Sequence, residues 1–124
     1  KLDKWLPVGG HIDPNETPDK ALRREIKEEV NLEVDVIGKS AVPHVGNVVA
    51  NLALPFHTNV HNVGNHDHYC LFYLCNVKDA SQLQYNHELK GARWFSIEDL
   101  HSEEVPQDVQ EIAKEAFRIR SNIS

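Results

Sequence analysis

The sequence has no methionine, only two cysteines and no long apolar run, and each shortage closes a class of protein. Without a methionine the chain reads as starting after residues that were cleaved or cloned away, so an N-terminal strand is expected before Lys1. No stretch approaches the roughly 18 to 20 apolar residues of a membrane span. The opening KLDKWLPVGG also lacks the apolar segment of a signal peptide. Cys70 and Cys75 lie five apart in one apolar run, and on a single strand that odd separation points them to opposite faces. They therefore read as small buried apolar residues of a reduced, cytoplasmic protein. Basic residues are scarce: 13 Lys and Arg against 19 Asp and Glu leave a net charge of −6. That balance argues against a broad grip on nucleic acid, whose binders carry a basic face. It still permits a small phosphorylated substrate, because a metal ion can supply positive charge locally.

What remains is enough for one domain, expected over residues 1–124, with a core of its own. Trp5 to Val8 reads as a strand end closing on the Gly9-Gly10 turn, and Asp13-Pro14-Asn15 is turn chemistry. Thr17 and Pro18 make a hydroxyl N-cap with proline in the first helical position. The helix they start is predicted over Pro18–Val30, with Leu22, Ile26 and Val30 as its apolar stripe and Ala21 beside it. Asn31 suits the left-handed position that ends many helices. Glu33 to Lys39 alternates as a half-buried strand, and Val42 to Leu54 reads as another strand broken by Gly46. His57 to Asn65 lacks apolar periodicity and reads as a loop. Tyr69 to Val77 is a continuous apolar run, predicted to be a central strand covered on both faces. Ala92 to Phe95 reads as a short strand, Ser96 to Leu100 as a helical turn, and Pro106 to Arg120 as an amphipathic helix. Val109, Ile112, Ala113, Ala116 and Phe117 form its apolar face. Strands separated by two helical segments indicate a mixed α/β layer fold.

The chemistry concentrates between Gly10 and Leu32. Glu25, Glu28 and Glu29 stand at i, i+3 and i+4, which a helix of about 3.6 residues per turn gathers on one face. Like charges at that spacing repel, by a few tenths of a kcal/mol per pair, unless water or a cation separates them. Hard divalent ions take oxygen ligands, so this face is a candidate metal site.

The spacing around that face is more specific than the face itself. Gly10 precedes Glu16 by six residues, Glu16 precedes Arg24 by eight, and Arg24 leads into Glu25, Ile26, Glu28 and Glu29. The segment resembles the Nudix box, G-x5-E-x7-R-E-U-x-E-E-x-G-U with U apolar. Eight of its nine specified positions match, and Asn31 stands where the pattern has glycine. Asn15 also occupies a place that is often glycine in relatives. Asparagine is the side chain that best tolerates positive φ after glycine, so both departures keep the backbone geometry. Trp5-Leu6-Pro7 before the box, and Arg93-Trp94-Phe95-Ser96 with Glu98-Asp99-Leu100 after it, follow the family's habits too.

The resemblance implies an α/β/α sandwich around a mixed β-sheet, with the box as a loop, helix and loop. It implies hydrolysis of the diphosphate linkage of a nucleoside diphosphate joined to another group, with Mg²⁺, or Mn²⁺ in its place. Carried over residue by residue, Glu25, Glu28 and Glu29 become metal ligands, with the backbone carbonyl of Gly9. Gly10 and Glu16 become structural parts of the site, and Arg24 steadies it by pairing with Glu16 or a helix carboxylate. The general base is Glu88, six residues before Trp94, with Glu25 or Glu28 as the fallback. The partner is a small nucleotide-type diphosphate, with no nucleic acid and no membrane, and the family also admits a homodimer. ADP-ribose, a nucleoside triphosphate, a sugar nucleotide and a dinucleoside polyphosphate are all open as substrates.

Eight histidines are many for this length. His66 and His68 share one face of a strand at i, i+2, a spacing that can hold Zn²⁺, although no Cys pair or third ligand completes a structural zinc site. A substrate-facing edge is the other functional reading, and both residues are candidate substrate contacts. Trp5, Trp94, Tyr69 and Phe72 read as core rather than as base-stacking platforms. A ligand-sensing domain without catalysis is the alternative to an enzyme, but such domains lose box glutamates and this chain keeps them. Isoprenoid diphosphate isomerisation would need a reactive cysteine, for which Cys70 and Cys75 offer no motif.

Overall fold

The computed structural model describes residues 4–86 and 89–123. Helix α1 spans Pro18–Val30, the range its proline start and Asn31 stop dictate. Asn31 lies at φ 60° and donates its backbone N–H to Lys27 O, the left-handed cap expected of it. Thr17 is extended as an N-cap should be, yet its hydroxyl does not cap the helix. The hydroxyl donates to Asp19 Oδ1 at 2.7 Å.

Strand β1 (Val34–Ile37) follows α1 and pairs antiparallel with β4 (Leu74–Val77). Strand β2 (His57–Asn62) pairs antiparallel with β3 (Asp67–Phe72), His57 lying opposite Phe72 and Asn62 opposite Asp67. Two antiparallel ladders thus carry the sheet structure among the described residues. Helix α2 (Gln107–Ile123) closes the chain against a 3₁₀ turn at Glu98–His101. In that turn Ser96 and Asp99 cap each other, each backbone N–H bonded to the other's side chain.

The core sits where α1 meets β1. Ile26, Val30, Leu32 and Val34 are buried together, and Leu22, Cys75, Val77, Leu83, Leu89 and Ala92 pack on them. The period-four stripe of α1 therefore does what it promised, placing one apolar face on the sheet.

Several expectations are corrected. The segment 57–62 is a strand, not a loop; its hydropathy does not alternate because His57, Thr58, Val60, His61 and Asn62 are all exposed. The run Tyr69–Val77 is not one central strand. It breaks at Tyr73, since residues 67–72 pair with β2 and residues 74–77 pair with β1. Nor is it covered on both faces: Tyr69 is 84% exposed. Cys70 and Cys75 are free and half-buried, on different strands. Val42 to Leu54 forms turns rather than a strand, and Val49 there is 93% exposed. Trp5 to Val8 and Ala92 to Phe95 carry no ladder among the described residues. The Trp5 amide bonds instead to Glu104 O at 2.8 Å, and its ring meets Phe95 edge-on at 5.2 Å. Trp94, expected in the core, is 51% exposed.

Candidate active site

The glycine turn, the loop at 13–16 and the first half of α1 meet around one guanidinium. Arg24 Nε donates to Glu16 Oε2 at 2.7 Å and Nη2 donates to Glu16 Oε1 at 3.1 Å. The planar fork of arginine matches the two carboxylate oxygens, which lysine could not do. Nη2 also reaches the carbonyl of His11 at 3.1 Å and lies 3.4 Å from Asp13 Oδ2. Glu16 Oε1 in turn accepts the Asp13 amide at 2.9 Å, so the acid is held from two sides. The Arg24 hydrogen bond, with the Asp13 amide behind it, holds the Glu16 carboxyl below its ordinary value. The same pairing raises the Arg24 guanidinium further, keeping it charged at any working pH.

The other terminal nitrogen faces the helix acids. Arg24 Nη1 lies 3.2 Å from Glu25 Oε2 and 3.2 Å from Glu28 Oε1. Two carboxylates one turn apart thus converge on a single positive atom, the arrangement their spacing forces once something cationic stands between them. Glu25 is also pressed against the turn: a Cβ on Gly10 would collide with its carboxylate. Glycine at position 10 therefore leaves the space that the Glu25 carboxylate occupies, and its role is not an unusual φ. Asn15, at φ 66°, supplies the left-handed residue that turns the loop into α1.

Glu29 follows Glu28 on the same helix and adjoins a cavity. With Gly9 it lines this cavity of about 800 Å³, whose other walls include Trp5, Val8, Lys90 and Trp94. The C-terminal carbonyls of α1 are met by a segment that local sequence signals do not reveal. Gln84 N bonds to Val30 O and Asn86 N to Glu29 O, both at 3.0 Å. Asn86 Nδ2 bonds to Glu28 O at 3.1 Å, and Asn31 Nδ2 reaches Gln82 O at 3.1 Å. Residues 82–86 thereby cap the box helix, and the one available hint was a polar, asparagine-bearing stretch after β4. Glu88 lies outside the described residues.

The structure thus brings together Gly10, Glu16, Arg24, Glu25 and Glu28, and sets Gly9 and Glu29 on one cavity. His68 adjoins this group through His11, the rings meeting edge-to-face at 5.5 Å, and His66 touches His68. The donor set is all oxygen, which suits a hard divalent cation. As the side chains stand, Arg24 occupies the point where Glu25 and Glu28 converge. Among the described residues no three His, Cys, Asp or Glu side chains are gathered about one ion position.

Comparison with known proteins accords with this geometry. The family model described as the NUDIX domain matches residues 1–117. Curated proteins yield no match. Among solved structures, the chain is similar to a hydrolase of the NUDIX family from Clostridium perfringens, with a TM-score of 0.79 at 30% identity. That likeness covers 94% of this chain and 81% of the other. A model matched over nearly the whole chain, and a shared fold at that identity, make this protein a member of the Nudix family, with its α/β/α sandwich.

Proposed function

We propose that this chain is a Mg²⁺-dependent hydrolase that cleaves the diphosphate linkage of a nucleoside diphosphate joined to another group. The observation that carries the reading is the convergence of Glu25 and Glu28 on one cationic atom, Arg24 Nη1, at 3.2 Å each. Their carboxylates are held to attract positive charge at the mouth of the glycine turn. Members of this family generally use divalent metal ions, and the ligands here would be Glu25, Glu28, Glu29 and the carbonyl of Gly9. When bound, such an ion neutralises the diphosphate oxygens and acidifies a water molecule.

The chain's own residues do the rest. Glu16 fixes the guanidinium through Nε and Nη2, so Arg24 can release the glutamates without leaving the site. Gly10 lets Glu25 lie flat against the turn. The cavity beside Gly9 and Glu29 offers aromatic and apolar walls, suited to the organic part of a nucleotide, with Lys90 and Arg93 among its lining. Glu88 is the proposed general base, drawing a proton from the attacking water, with Glu25 or Glu28 taking that role if Glu88 does not. All the box glutamates being present favours catalysis over ligand sensing.

The test is a hydrolysis screen with Mg²⁺ across nucleoside triphosphates, sugar nucleotides, dinucleoside polyphosphates and ADP-ribose, with Glu28→Gln beside the native chain. Turnover of one class that Glu28→Gln abolishes supports the reading. No turnover of any class, or a full rate in Glu28→Gln, overturns it.

A further inference from the structure

Histidines cluster on the β2–β3 hairpin beyond anything the acidic site uses. Residues directly opposite in an antiparallel pair share a face, so His61 and His68 lie on one side of the ribbon. His66 stands just before β3, and its Nε2 lies 3.1 Å from Nε2 of His68. Two imidazole nitrogens at that distance are not indifferent to each other. Either one proton lies between them, or both present lone pairs to a common cation.

The neighbour of His66 decides which tautomer it holds. Its Nδ1 is 2.6 Å from Asn65 Oδ1, an acceptor, so Nδ1 carries the proton and Nε2 keeps its lone pair. A carbonyl oxygen on the far ring nitrogen is the arrangement that orients histidine ligands toward a metal. With metal–nitrogen distances of about 2.0 to 2.1 Å, a 3.1 Å separation corresponds to an N–metal–N angle of about 100°. That angle lies between the octahedral and tetrahedral values, so the separation of the two nitrogens is one that two ligands of a single ion can have.

We propose that His66 and His68 form a two-histidine chelate for a Zn²⁺-class ion, separate from the oxygen ligands of the box. Borderline transition metals prefer imidazole where Mg²⁺ prefers carboxylate and water, so the two ligand sets sort the two kinds of ion. Two protein ligands leave coordination positions open to water or a phosphate oxygen. The chelate is tied to the acidic site through His11: its ring meets His68 edge-to-face and its carbonyl accepts from Arg24 Nη2. This assignment does not depend on the proposed hydrolysis.

The experiment titrates Zn²⁺ into the full chain by calorimetry, and Co²⁺ as a spectroscopic probe, with the imidazole ¹⁵N signals followed by NMR. The Glu25→Gln/Glu28→Gln variant should bind Zn²⁺ as the native chain does, while the His66→Ala/His68→Ala variant binds at least tenfold more weakly. Asn65→Ala, which removes the acceptor at His66 Nδ1, should weaken binding about tenfold by freeing the His66 tautomer. The Nε2 signals of both histidines should move on saturation and that of His66 Nδ1 should not. Zn²⁺ affinity unchanged in the double histidine variant, or lost with the glutamates instead, overturns the proposal.

Discussion

Arg24 and Glu16 are joined by two parallel hydrogen bonds, Nε to Oε2 at 2.7 Å and Nη2 to Oε1 at 3.1 Å. The pair ties the loop before α1 to its second turn, and the acids of the box are placed relative to that tie. Arg24→Lys keeps the charge but loses the fork. Turnover should fall about a hundredfold, as small misplacements of a catalytic group commonly cost. Steady-state kinetics of this variant beside Glu16→Gln should show similar losses, since each breaks the same pair. A near-native rate in Arg24→Lys would mean that charge alone suffices.

The same pair sets an acid limit on stability. The Glu16 carboxyl titrates below its ordinary value of 4.5 in the folded chain, so the unfolded chain binds the proton first. The stabilisation it contributes is complete above pH 4.5 and is lost as pH falls through the lowered folded value. Melting temperature measured from pH 6 down to 3 should drop more steeply in the native chain than in Glu16→Gln. Parallel curves would show that Glu16 adds no acid sensitivity.

Gly10→Ala isolates space from conformation. The added methyl would meet the Glu25 carboxylate, and only that side chain must give way. The fold should survive, while Glu25 is pushed from the point it shares with Glu28. Mg²⁺ affinity, read from the ligand-induced rise in melting temperature, should weaken about tenfold or more. An unchanged Mg²⁺ response would place the ion elsewhere.

How much of this could be read from the residues alone depends on how local each cause is. The α1 boundaries were legible because proline, the apolar stripe and asparagine all act within one helical turn of their effect. Asn15 and Asn31 could be assigned positive φ for the same reason, and they adopt 66° and 60°. Strand β2 was illegible because almost all its side chains face solvent and only pairing with residues 67–72 makes it a strand. The break at Tyr73 was hidden likewise, since it reflects a change of partner rather than of composition. The box spacing announced Glu16, Arg24, Glu25 and Glu28 as one group. It could not show that residues 82–86 return to cap α1, a contact made across more than fifty positions.

Asn31 offers a direct measure of one of those local causes. At φ 60° a β-branched residue is strained, so Asn31→Val should cost about 1 to 2 kcal/mol in urea unfolding. Asn31→Gly fits the same backbone and should cost less than about 1 kcal/mol, from chain entropy and the lost bond to Gln82 O. Equal losses in the two would show that the bond from Asn31 Nδ2 to Gln82 O matters more than the backbone.

The last test concerns the base. Asn86, two residues before Glu88 in sequence, is bonded through its backbone to Glu29 O and through its side chain to Glu28 O. If Glu88 draws the proton from water, Glu88→Gln should lower kcat far more than it changes KM. Asn86→Ala, which removes one anchor without touching any acid, should lower kcat in the same sense but less. The two losses should then not add: once Glu88 is neutralised, releasing its neighbour has little left to remove. Independent, additive losses would separate the anchor from the base, and a native kcat in Glu88→Gln would pass the role to Glu25 or Glu28.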